Sequence, residues 1–273
     1  MKYKDRNKVD TNMGFEITSE LENVYKGFLF EGIVACLWLV LLLIILNHYR
    51  KKKSKMTAIL LASFTSYFLG LVFSWIAKLI QLSFGYNSIV LFPPETPNLW
   101  LIARITQYRI SFTFIVIGTY FTNKFQGMVF DTETKQLRNK IILVLTIITI
   151  LVSLILYFPS QEIFDLITFG LAFIVMLMCY IPFMIHAFKM GFKMEKAAKV
   201  YKTAFISLGI MCVCFLMILL GMLFDRAMII FVEGCEGYTV FYYMGWISAI
   251  IGVFTTFMGY IRPTLVKPSP SEN

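Results

Sequence analysis

Two arginines, Arg104 and Arg109, stand inside one long apolar stretch of this 273-residue chain, and they are its strongest pointer to chemistry. A guanidinium deep in hydrocarbon is costly even after snorkelling, so such a residue faces a bundle interior or a wet cavity. Counted from residue 99, where the stretch begins, Arg104 lies roughly 8–9 Å and Arg109 roughly 15–16 Å into it. Their spacing puts them about 140° apart around a helix, so they would flank one cavity rather than share a line. Tyr108 and Gln107 add a hydroxyl and an amide between them. Glu31, about 10 Å along the first apolar run, is the natural counter-ion. It is expected to pair with Arg104, with Asp165 and Asp225 as shallower alternatives. Lys78 is a further intramembrane cation, either part of the pocket or snorkelling to the outer surface. Trp75 and Trp246, one to three turns below that surface, serve as belt residues or pocket walls. Two deep arginines outnumber the one comparably deep carboxylate. An anionic ligand group or ion would complete the balance, since unpaired buried charge is expensive. The alternative is a buried ion-pair network that only fixes the helix arrangement.

The elements that must position these groups are membrane helices. The chain is 58% apolar and 15% charged, whereas a soluble domain is about one quarter charged. Its apolar residues come in blocks rather than alternating, which excludes an outer-membrane barrel. Runs long enough to cross roughly 30 Å of hydrocarbon occur at 24–46, 57–80, 99–122, 141–159, 163–188, 203–224 and 238–261. The expectation is an all-α, polytopic bundle of seven transmembrane helices over 24–261. Residues 1–23 form an extracellular segment and 262–273 a short cytoplasmic tail. The first run is too long for the apolar region of a cleavable signal, so it should be a retained helix. Pro182 should kink the fifth span.

Orientation follows from the cations. Arg50, Lys51, Lys52, Lys53 and Lys55 fill the first loop; Lys124, Lys135, Arg138 and Lys140 lie in the third; Lys189, Lys193, Lys196, Lys199 and Lys202 lie in the fifth. The opposite loops carry only Arg226, against Glu95, Glu162, Glu233 and Glu236. Cations stay inside, so the N-terminus is outside and the C-terminus cytoplasmic, with the five cations of the N-terminal segment as the dissent. The formal net charge of +9 therefore needs no nucleic acid. It suits anionic inner-leaflet lipid in the cell membrane and a cytoplasmic effector docked on the basic loops. The lysines from 189 to 199 recur at helical spacing, as one stripe.

The outer segments 82–98, with Pro93, Pro94 and Pro97, and 226–237 are apolar and would fold over the bundle mouth or lie on headgroups. The five cysteines and two histidines form no ligand spacing, and no nucleophile elbow, Walker or dinucleotide pattern appears. No metal, cofactor or catalytic residue is expected. Gly118-Thr-Tyr120 and Gly259-Tyr260 match loosely at the ends of spans three and seven, a hint of parallel duplication around span four.

By topology the chain resembles the heptahelical membrane proteins, both rhodopsin-type and small prokaryotic seven-helix sensors. The resemblance covers spans one to seven. In microbial rhodopsins a span-three arginine belongs to the counter-ion complex, a part that Arg104 or Arg109 would take. Retinal in those proteins is held by a lysine in span seven, and none occurs between Tyr238 and Ile261, so covalent retinal is not expected. The Asp/Glu-Arg-Tyr group of animal receptors is replaced here by Tyr120-Phe-Thr-Asn-Lys124. The expected function is that of a non-enzymatic receptor or sensor. Its outward polar pocket would accept an anionic small molecule and signal through a separate partner, alone or as a homo-oligomer. The rival is an ion channel or solute transporter that uses the same arginines.

Overall fold

The computed structural model describes residues 19–84, 97–130, 135–156, 161–194, 199–232, 235 and 237–265, all helical apart from short connections. The helices are α1 (Ser19–Lys52), α2 (Lys55–Phe84), α3 (Pro97–Thr106), α4 (Arg109–Phe130), α5 (Lys135–Ile155), α6 (Gln161–Lys193), α7 (Lys199–Phe231) and α8 (Val240–Thr256). A π-helical turn, Phe257–Ile261, and the four-residue α9 (Arg262–Leu265) follow. Among the described residues, six helices are long and apolar enough to cross a membrane: Leu21–Lys52, Lys55–Ser83, Leu137–Ile155, Leu166–Lys193, Lys199–Phe231 and Val240–Ile261. The chain is an all-α, multi-spanning membrane protein. Its burial pattern fits lipid as solvent. Large aliphatic side chains such as Val40, Leu43, Ile147 and Leu151 point outward, whereas Glu31, Lys78, Arg104, Arg109, Asn123 and Gln126 are buried.

The third apolar stretch departs from expectation. It is not one helix over 99–122 but two, broken at Gln107–Tyr108. Tyr108 has φ 60, in the left-handed region, where a non-glycine side chain crowds the following carbonyl and helix propagation stops. The downstream half, α4, is diluted by Asn123, Lys124 and Gln126. Other boundaries shift outward. α5 begins at Lys135 rather than 141, and α7 continues to Phe231, which places Arg226 in a helix rather than in an outer loop. α6 runs unbroken through Pro182. The lysine stripe is divided, with Lys189 and Lys193 ending α6 and Lys199 and Lys202 opening α7. Residues 1–18, 85–96, Pro159, Ser160 and Lys196 lie outside the described residues, and with them the proline pair Pro93-Pro94 of the expected outer segment.

Six of these elements form a closed ring. α1 packs on α2, α2 on α4, α4 on α6, α6 on α7, α7 on α8, and α8 returns to α1; α5 lies outside the ring against α4 and α6. Small residues bring the walls close. A Cβ on Gly221 would stand 2.5 Å from the Phe241 carbonyl oxygen, and Gly245 faces it across the α7–α8 contact. The α1–α2 hairpin is set by local chemistry. Lys53 adopts φ 46 and closes α1 through its N–H to the Tyr49 carbonyl at 2.7 Å. Ser54 then caps α2, its Oγ accepting the Thr57 N–H at 3.1 Å.

Candidate functional site

The ring encloses a cavity of about 190 Å³. Its wall extends along α2 from Gln81 to Tyr67 and along α7 from Ile229 to Phe215, roughly 21 Å on either helix at 1.5 Å per residue. One end is ionic and the other aromatic.

The ionic end is built on Glu31 and Lys78, which are 1% and 2% exposed. Lys78 Nζ donates to Glu31 Oε1 at 2.6 Å. Tyr242 of α8 donates its hydroxyl to the same oxygen at 2.8 Å, and Ser74 Oγ donates to Oε2 at 3.0 Å. Three donors thus replace the hydration of a carboxylate taken out of water, the condition under which a buried ion pair is tolerated. The lysine ammonium also lies 4.9 Å from the ring centre of Tyr108 and 5.7 Å from that of Tyr242. The Arg226 guanidinium of α7 lies 5.7 Å from the same Tyr108 ring, so two cations lie within reach of it. Gly27 of α1 makes room for the group. A Cβ there would meet Tyr238 Cε1 at 2.5 Å and Lys78 Cε at 3.1 Å.

The expected Glu31–Arg104 pair does not form; the partner is Lys78. The reason is hairpin geometry. Counted from the turn at Lys53–Ser54, Glu31 lies about 22 residues back along α1 and Lys78 about 24 residues forward along α2, so the two arrive at one depth on adjacent helices. Arg104 lies beyond α2, on α3. Its Nη2 donates to the Leu156 carbonyl at 3.1 Å. Arg109, one residue past the break, turns to α6, where Nη1 donates to Thr168 Oγ1 at 2.9 Å and the guanidinium lies 4.1 Å from the ring centre of Phe164. Neither arginine is part of the cavity wall. Asp165 belongs to α6 on that side, and its side chain lies outside the described residues.

Of the other expected site residues, Tyr108, Trp246 and Asp225 line the cavity and Trp75 does not. Trp75 stacks on Phe28 at 4.9 Å and donates Nε1 to the Phe28 carbonyl at 3.1 Å, joining α1 to α2. Asp225, the alternative counter-ion for the arginines, forms no ion pair with them among the described residues. Its Oδ1 accepts the Thr239 backbone N–H at 2.7 Å, at the start of α8, where a carboxylate satisfies an orphan donor and opposes the helix dipole.

The aromatic end is closed. Trp38 lies 5.3 Å from Phe64 and 5.7 Å from Phe215, and Phe215 lies 5.7 Å from Tyr67. The crevice beneath, between Phe64, Phe125, Phe215 and Tyr260, has no room for a water molecule. Tyr67 carries the floor into a hydroxyl cluster. Its OH meets Tyr180 OH at 2.6 Å, Thr119 Oγ1 at 3.2 Å and Thr122 Oγ1 at 3.3 Å, and Thr122 meets Ser63 at 2.7 Å.

Sequence reading missed the floor residues Trp38, Tyr67 and Phe215, because an aromatic residue in an apolar run has no distinguishing mark. It also missed Tyr238 and Tyr242, whose four-residue spacing just inside the last span was the available signal. Compared with known proteins, the chain matches no family model, no curated protein and no solved structure.

Proposed function

We propose that this protein is a receptor- or sensor-like bundle with seven crossings and an external N-terminus. In this reading α3 and α4 together make the third crossing as a broken helix, and the cations of 50–55, 135–140 and 189–202 stay on the cytoplasmic side. The ring cavity accepts a small anion-bearing molecule from the outside. A separate cytoplasmic partner, docked at the basic ends of the helices, carries the output.

One observation carries the reading: a cavity of about 190 Å³ with an ionic end at Lys78 and Arg226 and a closed aromatic floor. A blind chamber between helices, mostly apolar with a few converging polar groups, suits capture better than passage. The anion preference comes from the two cations, Lys78 and Arg226, whose charged groups lie near the Tyr108 ring on the cavity wall. Arg104 and Arg109 move in this reading from ligand contacts to supports of the α3–α4 break.

Transport has one observation on its side, the hydroxyl cluster of Tyr67, Thr119, Thr122 and Ser63 that continues below the floor. The two readings separate in proteoliposomes. A receptor binds an anionic ligand, read by tryptophan fluorescence of the purified chain, without moving it across the bilayer. Ligand-dependent flux would replace the receptor reading with the transport one.

A further inference from the structure

From the groups on the cavity wall we infer that the ligand is a small zwitterion: besides its anionic group it carries a protonated amine, which Asp225 receives. This rests on the reading of the cavity as a site for an anion-bearing molecule and adds the second charge.

Charge balance comes first. Among the described residues the wall carries two carboxylates, Glu31 and Asp225, and two cations, Lys78 and Arg226. A lone anion would bring an uncompensated charge into a chamber between helices, where such a charge is costly. A ligand with one charge of each sign leaves the balance as it is. The two carboxylates are not equivalent. Glu31 is engaged by an ammonium and two hydroxyls. Asp225 is 4% exposed and holds a single hydrogen bond among the described residues, from the Thr239 N–H to Oδ1. It has no ion pair there, not even with its neighbour Arg226. A carboxylate accepts about four bonds, so Oδ2 keeps its capacity, and the buried charge lacks a cation beside it. The bond to Thr239 does not account for that charge, because an amide oxygen serves at a helix start as well as a carboxylate does.

A Cβ on Gly237 would stand 3.7 Å from Asp225 Oδ2, so its absence keeps that side of the carboxylate open. A second acceptor lies at the same level. Thr239, which Asp225 holds, precedes Tyr242 of the Glu31 group by three residues, and Gln81 follows Lys78 by three. Asp225 and Gln81 therefore stand roughly one helical turn outward of the Glu31–Lys78 pair. They belong to α7 and α2, which are three steps apart in the ring and so form facing walls. Gln81 Nε2 donates to the Thr106 carbonyl at 3.5 Å, and Oε1 is buried without a partner among the described residues. Acceptors in this position suit an ammonium, which has three N–H donors. Among the described residues they belong to no group of three metal-ligating side chains, which favours an amine over a metal ion. The amine and the anion must lie close together, since Asp225 and Arg226 are adjacent and Lys78 is about one turn deeper. Farther in, the wall is Trp38, Phe112, Phe169, Phe215 and Leu219, so the body is apolar. An apolar cavity of about 150 Å³ takes up benzene, so the volume here holds roughly eight to ten heavy atoms.

The test is a matched panel on the full protein in nanodiscs, read by tryptophan fluorescence. Alanine, valine, leucine and phenylalanine are each compared with the acid that lacks the amine and the amine that lacks the acid; for leucine these are isocaproate and isoamylamine. The best zwitterion should bind about tenfold or more tightly than either of its counterparts, the effect of one hydrogen-bonded charge. Asp225→Asn keeps an acceptor for the Thr239 N–H and removes the charge. It should cost the zwitterion about tenfold and leave the matching acid unchanged, with a melting temperature close to that of the parent. A merely structural Asp225 would move zwitterion and acid together.

An acid that binds as tightly as its zwitterion would overturn the amine and leave the anion-accepting cavity standing. An amine that binds as tightly as its zwitterion would instead remove the anion, and the reading beneath this inference with it. Isocaproate binding that requires sodium and vanishes in Asp225→Asn would give the place of the amine to an inorganic cation. An absence of saturable binding by every member of the panel would end the inference.

Discussion

At the scale of residues, the centre of this molecule is a carboxylate shared by three helices. Glu31 of α1 is held by Lys78 and Ser74 of α2 and by Tyr242 of α8. Removing one member of a buried pair strands the other, so Lys78→Met should destabilise the fold by about 3–5 kcal/mol, while Glu31→Gln/Lys78→Met should regain most of that loss. Thermal unfolding in detergent of the two variants beside the parent checks it, and a double variant no better than the single would mean that Glu31 has no use for the lysine. Gly27 is the packing counterpart. Gly27→Leu should damage the same group sterically, lowering the melting temperature and the fluorescence response to anions together. Much of this site was legible: Glu31, Lys78, Tyr108, Trp246 and Asp225 announce themselves as polar or amphipathic groups in apolar runs. Their pairing was not, because depth along a helix says nothing of which neighbour lies beside it. The short Lys53–Ser54 turn, which makes α1 and α2 adjacent, was the usable clue.

At the scale of elements, the break at Gln107–Tyr108 decides where the arginines go. With α3 and α4 offset, Arg104 reaches the end of α5 and Arg109 reaches α6, while Thr106, Gln107 and Tyr108 line the cavity. The left-handed φ of Tyr108 allows a test by sign. Glycine occupies that region without strain and alanine does not, so Tyr108→Gly should be more stable than Tyr108→Ala by about 1 kcal/mol. A continuous helix would reverse the order by a similar amount, since glycine is the poorer helix former. Chemical unfolding of the two variants distinguishes the outcomes. The apolar blocks made the other spans legible, and nothing in Ile105-Thr106-Gln107-Tyr108 carries the proline or glycine by which a break is normally read. The close approach of α7 and α8 is testable in the same way. Gly221→Ala presses a Cβ on the Phe241 carbonyl and should cost about 1–3 kcal/mol.

At the scale of the whole molecule, the ring has a beginning and an end that must meet, since α8 packs against α1. Seven crossings put the two termini on opposite sides of the membrane and six would put them on the same side. Tags at each end, probed with an impermeant label on intact and on permeabilised cells, should therefore report an accessible N-terminus and a hidden C-terminus. Glu31 and Lys78 bear on how such a ring is made. Each charge released alone from the translocon into lipid would cost up to about 3 kcal/mol. Both belong to one hairpin, so they can leave the translocon already neutralised by each other. Biogenesis then has an early, self-sufficient step and a late one. The α1–α2 hairpin inserts with its charges matched, and the chamber comes into being only when α8, translated after the other ring helices, brings the Tyr242 hydroxyl to Glu31.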